Sequence, residues 1–326
     1  MIRRILPLVV PVLLFGGAAR QPDPPPPTPA GADFASLSRQ FDYERAKPLD
    51  VRETGVRDVG GAEVHDITYA SPRRGRVTAF LVVPPGKGPF AAIVFQHWGF
   101  GDRTEFLAES LYYARAGAIS LLVDAPWARP EPWRHEDEGH IAKPEADKDL
   151  YVQTVVDLRR GVDLLLSRPD VDPKRVAYVG HSFGATSGGA LAGVERRIQA
   201  YVLTAGLPRV TDFSRQGVRR LDALSDQVTK SFSKEQISRF VDVVSTVDPV
   251  RYVGHASPSA ILMQFARDDA WISEKAAREY FAAASEPKEE KWYAAGHEVN
   301  DPKALRDRAA WLARRIGIGV IEAAKE

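Results

Sequence analysis

Short apolar runs, rich in β-branched residues, recur from about residue 60 and alternate with longer segments whose apolar residues lie three and four positions apart. The first pattern predicts buried strands, and the second predicts amphipathic helices. Strands that alternate with helices build parallel sheets, so we expect an α/β fold with a mostly parallel central sheet, entered by an antiparallel pair of strands. The predicted strands are Val64–Tyr69, Val77–Val83, Ala91–Gln96, Ile119–Val123, Arg175–Val179, Ala200–Thr204, Ala260–Gln264 and Lys291–Ala294.

Helices are predicted between these strands along the chain. One is expected to carry Val155, Leu158, Val162 and Leu165, another Phe106, Leu107 and Leu111, and the last one, beginning near Pro302, Leu305, Trp311, Leu312 and Ile316. Residues 209–256 interrupt the alternation with polar, helix-forming sequence. Its apolar residues form two faces, one with Leu221, Leu224 and Val228 and the other with Ile237, Phe240, Val241 and Val244. We expect a helical, lid-like insertion there; a helical pair packed beside the sheet is the alternative.

The first 33 residues have a different composition. Arg3 and Arg4 precede the apolar stretch Ile5–Phe15, and Gly17 and Ala19 then stand at the −3 and −1 positions of a cut after Ala19. This order predicts a signal peptide over residues 1–19, followed by a proline-rich linker over 20–33 and the α/β domain over 34–326. Because a bilayer span needs about 20 apolar residues, we prefer a cleaved signal to a retained anchor, and expect export to the periplasm or the extracellular space.

Charge and cysteine content limit the classes of partner and of catalysis that fit the sequence. The chain has 44 basic and 43 acidic residues and no cysteine. No basic cluster appears, which argues against nucleic acid as a partner and against stable membrane association after signal cleavage. The absence of cysteine excludes disulfides, thiolate catalysis and cysteine-ligated zinc. We therefore expect a small-molecule substrate, and the sequence leaves the oligomeric state open.

One motif in the chain is typical of a reactive serine. Gly180-His181-Ser182-Phe183-Gly184 lies between the predicted strand Arg175–Val179 and a helix of small residues. A Gly-x-Ser-x-Gly turn in this strand–turn–helix context exposes the serine hydroxyl above the carboxyl edge of the sheet, next to a helix N-terminus that favours negative charge. Ser182 is thus the predicted nucleophile.

A serine nucleophile needs a base and an acid, expected in the chain order serine, acid, histidine. Of the histidines that follow Ser182, His297 lies in a small-residue loop directly after a strand, whereas His255 precedes a strand. His297 is therefore the predicted base. After the strand Ala260–Gln264, Asp268 and Asp269 compete as the acid; we favour Asp269 because an apolar residue three positions on could pack under the loop.

An oxyanion requires two backbone N–H donors. Phe183, directly after the nucleophile, is predicted to provide one. The loop His97-Trp98-Gly99-Phe100-Gly101 follows the strand Ala91–Gln96 and is predicted to provide the other, from Trp98 or alternatively Gly99. We expect His97 to hold this loop in place.

These motifs resemble the dienelactone hydrolase and acetyl esterase branch of the α/β-hydrolase superfamily, over roughly residues 60–316. The resemblance rests on the elbow around Ser182, on His97-Trp98-Gly99 and on Ala295-Gly296-His297. It implies the α/β-hydrolase fold, with helices flanking the sheet. Dienelactone hydrolases proper use a cysteine nucleophile, which this chain lacks. The resemblance therefore points to a serine hydrolase that cleaves carboxylic esters through an acyl-enzyme and needs no cofactor.

Other features of the sequence are less specific. His135 and His140 are five positions apart, so one helical face cannot present both to a metal, and we expect a solvated loop and no metal site. Four tryptophans lie in loops that should leave the same sheet edge, where they could wall a pocket or pack independently: Trp98, Trp127, Trp133 and Trp271. A peptidase or thioesterase of the same fold, or a catalytically silent binding protein, remains an alternative function.

We predict that the exported protein begins at Arg20, because signal peptidases cut after small residues such as Ala19. N-terminal sequencing of protein recovered outside the cytoplasm tests this. Ala19→Phe, which places a bulky side chain at −1, should block the cut. A recovered protein that still begins at Met1 would show that the segment is retained.

Overall fold

The computed structural model describes residues 33–135, 141–211 and 230–319. The strands within these ranges are β1 (Arg52–Val59), β2 (Ala62–Ala70), β3 (Arg76–Val83), β4 (Phe90–Gln96), β5 (Ala118–Val123), β6 (Val171–His181), β7 (Ala200–Thr204), β8 (Ala260–Ala266) and β9 (Lys288–Tyr293). These nine described strands form one sheet in the order β1-β2-β3-β5-β4-β6-β7-β8-β9. Pairing is antiparallel from β1 to β5 and parallel from β5 through β4 and β6 to β9. The predicted mostly parallel sheet with an antiparallel entry is confirmed.

Helices cover both faces of the sheet. They are α1 (Phe34–Ser38), α2 (Leu107–Arg115), α3 (Pro144–Leu166), α4 (Phe183–Val194), α5 (Lys234–Val244), α6 (Glu274–Ala283) and α7 (Pro302–Ile316). Residues of α1, α3, α4, α5 and α6 share one hydrophobic core with one face of the sheet. Residues of α2 and α7 share a second core with the opposite face.

The last helix shows how local sequence sets these boundaries. The Asp301 side chain accepts a hydrogen bond from the Lys303 N–H, and Pro302 occupies the first turn, where a missing N–H costs nothing. Trp311, Leu312 and Ile316 lie on the buried face. The helix ends where Gly317 adopts φ 61°, a left-handed conformation that glycine allows without strain. The predicted start near Pro302 is confirmed.

Two edge strands differ from the prediction. β1 was not predicted, because nearly all its residues are exposed and it lacks a buried apolar run. β9 begins at Lys288, three residues before the predicted start, and its first five residues are only partly buried. Both strands pair on one side only, so charged residues are tolerated along them and hydrophobic periodicity is weak.

The predicted insertion is described only in part. α5 begins with a capping box, in which the Ser233 side chain accepts from the Gln236 N–H and the Gln236 side chain accepts from the Ser233 N–H. Phe240 and Val244 are buried in the core shared with α3 and α4. Leu221, Leu224 and Val228 lie outside the described residues, as do the signal peptide and nearly all of the linker, so these expectations stay predictions. None of the described helices combines the length and apolarity that a membrane crossing requires.

A buried ion pair joins the segment after β5 to α3. Arg129 Nη2 lies 2.7 Å from Asp157 Oδ2, and both side chains are fully buried. The other oxygen of Asp157 accepts from the Ser71 hydroxyl at 2.6 Å. The turn between β2 and β3 is thereby bonded to the same carboxylate. Removal of one partner of such a pair is costly, because it leaves an uncompensated charge in the interior.

We predict that Arg129→Met lowers the free energy of unfolding by about 3–5 kcal/mol, since it leaves the Asp157 carboxylate buried and unpaired. Urea unfolding followed by circular dichroism measures this. The double variant Arg129→Met/Asp157→Leu should recover much of the loss. The matched control is Arg278→Met, which removes an exposed pair with Glu274 and should cost less than about 1 kcal/mol. Equal losses in the two single variants would contradict the prediction.

Candidate active site

Ser182 lies on a strained turn between β6 and α4. Its φ is 51° and its ψ is −107°, an unfavourable conformation for a residue with a side chain. The Ser182 N–H donates to the Thr204 carbonyl on β7 at 2.8 Å, and the Ser182 carbonyl accepts from the Thr186 N–H in the first turn of α4. Hydrogen bonds on both sides of the residue therefore hold the strained conformation.

The two glycines of the motif allow this turn. A Cβ on Gly180 would stand 2.5 Å from backbone atoms of Gly184. A Cβ on Gly184 would overlap the Gln96 carbonyl at the end of β4. The close packing of β4, β6 and α4 thus requires glycine at both positions.

The predicted nucleophile, base and acid are adjacent in the structure. His297 Nε2 lies 2.7 Å from Ser182 Oγ, and His297 Nδ1 lies 2.9 Å from Asp269 Oδ2. His297 is 6% exposed and Asp269 9% exposed. These distances fit a serine hydroxyl that donates to Nε2 and an Nδ1–H that donates to the carboxylate. The arrangement can move a proton from the hydroxyl to a stabilised imidazole.

The structure separates the two aspartates that follow β8. Asp268 is exposed, whereas Asp269 is buried against His297. Asp269 Oδ1 also accepts from the N–H groups of Trp271 at 2.7 Å and Ile272 at 2.9 Å. The Ile272 side chain is buried, as expected for an apolar residue three positions on. Three hydrogen bonds therefore orient this carboxylate toward the histidine.

The loop after β4 is held by two side chains. His97 Nε2 accepts from the Ala125 N–H at 2.9 Å, so its proton is on Nδ1, which donates to the Trp98 carbonyl at 2.6 Å. Burial lowers the pKa of His97, in keeping with a neutral ring. Asp124 accepts from the Arg103 N–H at 2.7 Å. These contacts agree with the structural role expected for His97.

The Trp98 N–H, which we predicted to bind the oxyanion, already has a hydrogen-bond acceptor in the structure. The Trp98 N–H donates to Glu105 Oε2 at 2.7 Å, so a substrate oxygen would have to displace a carboxylate from it. Gly99, the alternative, is the better candidate for the second donor. The other predicted donor, Phe183, is the first residue of α4, where an N–H has no acceptor within the helix. The roles of Phe183 and of the loop after β4 as oxyanion donors stay predictions.

Three of the four tryptophans lie beside the site. Trp127 packs edge-on against Phe183, with ring centroids 4.4 Å apart. Trp98 stacks near His181 at 6.3 Å, and Trp271 lies 6.2 Å from His297. Trp133 instead packs against the turn at Gly75. Aromatic rings thus lie next to three residues that adjoin the nucleophile, and such rings are common in pockets for organic substrates.

The remaining histidines lie apart from this arrangement. His255 precedes β8 and stacks on Phe34, with ring centroids 3.7 Å apart, at the amino end of the strand. His135 contacts the Arg74 guanidinium, and His140 lies outside the described residues. Among the described residues, no group of three or more histidine, aspartate or glutamate side chains could hold a metal ion.

Sequence reasoning missed two residues of the site, Glu105 and His181. His181 is the second residue of the elbow and Glu105 follows the loop after β4, and their side chains meet next to His297. An ionisable residue directly before the nucleophile was a visible signal. Its partner, 76 positions earlier, could be found only from the three-dimensional arrangement.

The family model for acetyl xylan esterase (AXE1) matches residues 41–246, which is more than half of the chain. The chain belongs to the acetyl xylan esterase family. The matched segment contains Ser182 and ends before Asp269 and His297.

Solved structures support the same fold for this acetyl xylan esterase family member. An acetyl xylan esterase from Paenibacillus sp. R4 is 20% identical with a TM-score of 0.69, and the match covers 86% of this chain and 92% of that one. Acetyl xylan esterase 1 from Thermoanaerobacterium sp. is 19% identical with a TM-score of 0.71 and the same coverage. The expected α/β-hydrolase fold is confirmed.

A curated relative matches over a shorter segment. The acyl-coenzyme A amino acid N-acyltransferase 2 of Rattus norvegicus is 28% identical over 141 residues, which are 43% of this chain. The match spans 30% of that protein's length.

We predict that Asp269→Asn lowers kcat by about 1,000- to 10,000-fold with little change in KM, because an amide can neither fix the His297 tautomer nor stabilise an imidazolium. Asp268→Asn is the matched control and should leave kcat nearly unchanged, since Asp268 is exposed. Steady-state kinetics on a chromogenic ester measure both. A larger loss in the Asp268 variant would overturn the assignment of the acid.

Proposed function

We propose that this protein hydrolyses carboxylic esters through an acyl-enzyme on Ser182. The observation that carries the proposal is the continuous hydrogen-bonded series from Ser182 Oγ through His297 to Asp269, with distances of 2.7 and 2.9 Å. Membership of the acetyl xylan esterase family supports ester bonds as the target.

In the first step, Oγ attacks the ester carbonyl carbon while His297 Nε2 takes the hydroxyl proton. The carbonyl oxygen becomes an oxyanion, for which the N–H groups of Phe183 and Gly99 are the proposed donors. Asp269 stabilises the resulting imidazolium through Nδ1. Because Asp269 is itself held by two backbone N–H groups, the carboxylate stays in place while charge develops on the ring.

The tetrahedral intermediate then collapses. The carbon–oxygen bond to the alcohol breaks, and His297 gives its proton to the leaving oxygen. Water next attacks the acyl-enzyme, again losing a proton to His297, and releases the carboxylic acid. The burial of His297 and Asp269 favours this cycle, since a low-dielectric setting strengthens their mutual attraction.

We propose acetyl esters of carbohydrate hydroxyls as the substrate class. The family and two of the similar solved structures carry acetyl xylan esterases in their names. The aromatic rings of Trp98, Trp127 and Trp271 lie beside residues of the site and suit this class, because sugar C–H groups pack well on aromatic faces.

We expect Ser182→Ala to lower kcat by about 10⁵-fold or more and to abolish labelling by a fluorophosphonate probe, because no hydroxyl remains to form the acyl-enzyme. The matched control is Ser187→Ala on the same helix, which removes a buried hydroxyl without a hydrogen-bond partner and should leave both readouts unchanged. Substrates should be p-nitrophenyl esters of increasing chain length, acetylated xylo-oligosaccharides, a thioester and a peptide.

Highest kcat/KM on acetyl esters, with loss in Ser182→Ala, supports the proposal. Ester hydrolysis that persists in Ser182→Ala would refute the mechanism. A preference for the thioester or the peptide would refute the substrate class, and a wild type that neither reacts with the probe nor turns over any substrate would indicate a silent hydrolase scaffold.

A further inference from the structure

A second histidine–carboxylate pair lies beside the proposed triad and takes no part in its proton transfers. His181 directly precedes Ser182 and is 6% exposed. Its Nδ1 lies 2.6 Å from Glu105 Oε1, and its Nε2 lies 3.0 Å from the main-chain carbonyl oxygen of His297. One imidazole therefore bridges a carboxylate and the backbone of the proposed base.

The hydrogen-bond partners determine where the protons are. A carbonyl oxygen only accepts, so His181 Nε2 carries a proton. At 2.6 Å, a lone pair on Nδ1 would repel a carboxylate oxygen, so a proton also lies between Nδ1 and Glu105 Oε1. Imidazole is a stronger base than a carboxylate, which places this proton on the ring. His181 is thus an imidazolium paired with the Glu105 carboxylate.

The same carboxylate reaches a third segment. Glu105 Oε2 accepts the Trp98 N–H at 2.7 Å, and the Trp98 ring stacks near His181 at 6.3 Å. The pair consequently joins the loop after β4, the elbow after β6 and the loop after β9. These three segments supply the proposed oxyanion donor, the nucleophile and the base.

We propose that Glu105 and His181 are positioning residues that hold the main chains of His297 and Trp98 in place relative to Ser182. The proposal rests on the proposed function. Its physical basis is that an error of about 1 Å in the placement of a reacting group can lower a rate about 100-fold.

The substitution Glu105→Gln separates geometry from charge. The amide oxygen of glutamine can accept the Trp98 N–H, and its NH₂ group can donate to Nδ1 of a neutral His181, whose Nε2–H still reaches the His297 carbonyl. All three hydrogen bonds survive while the ion pair is lost. Glu105→Ala, in contrast, removes the bonds to Trp98 and to His181 together.

Kinetics on p-nitrophenyl acetate test the positioning role. We expect Glu105→Ala and His181→Ala each to lower kcat about 10- to 100-fold with little change in KM, and the double variant to be no worse than either single one, because both remove the same restraint. Glu105→Gln should stay within about threefold of the wild type, since hydrogen bonds alone preserve the placement. The matched control is Glu109→Ala, which breaks an ion pair with Arg308 and should lower stability without this loss of kcat.

A spectroscopic readout is independent of catalysis. In histidine labelled with ¹⁵N, the wild type should show both nitrogens of His181 protonated at neutral pH. Glu105→Gln should show only Nε2 protonated. This measurement decides the protonation state even if Glu105→Ala does not fold.

Wild-type kcat in folded Glu105→Ala, an unprotonated His181 Nε2 in the wild type, or equal losses in Glu105→Ala and Glu105→Gln would each overturn the proposal. The failure of the proposed function has a different signature, which is ester hydrolysis that persists in Ser182→Ala. If Ser182→Ala is inactive and folded Glu105→Ala is fully active, only the positioning pair is refuted.

Discussion

The strained backbone at Ser182 is the constraint on which the rest of the site depends. A side-chain-bearing residue at φ 51° is held there by the Thr204 carbonyl on one side and the first turn of α4 on the other. The strain is tolerated because glycines at 180 and 184 let β6, α4 and the end of β4 approach more closely than a Cβ would permit. Every other element of the site is arranged around the hydroxyl that this turn exposes.

Parallel pairing brings the partners to that hydroxyl. β4, β6, β8 and β9 run in the same direction, so the segments that follow them leave the same edge of the sheet. The strand order changes direction between β4 and β6, which is where open α/β sheets form their binding crevice. Asp269 and His297 follow β8 and β9 and therefore reach Ser182 although they are distant from it along the chain.

Hydrogen bonding to carboxylates supports each segment of the site. Asp269 accepts hydrogen bonds from two backbone N–H groups in addition to His297. Asp124 takes the N–H of Arg103, and burial raises the pKa of this carboxyl group. Glu105 takes the N–H of Trp98 and pairs with His181. Each of these carboxylates accepts from several donors, and the loops they hold consequently have few alternative positions.

The sequence by itself determined the strands of the core, the elbow and the identity of the triad candidates, because apolar periodicity and turn chemistry are local properties of the chain. It missed β1 and misplaced the start of β9, since edge strands bury too little surface to leave a periodic pattern. Only the tertiary structure decided between Asp268 and Asp269 as the partner of His297. It also showed that the Trp98 N–H donates to Glu105 and that Glu105 contacts His181. The physical reason is that each of these outcomes depends on which polar groups meet after the sheet forms, across separations that no local pattern encodes.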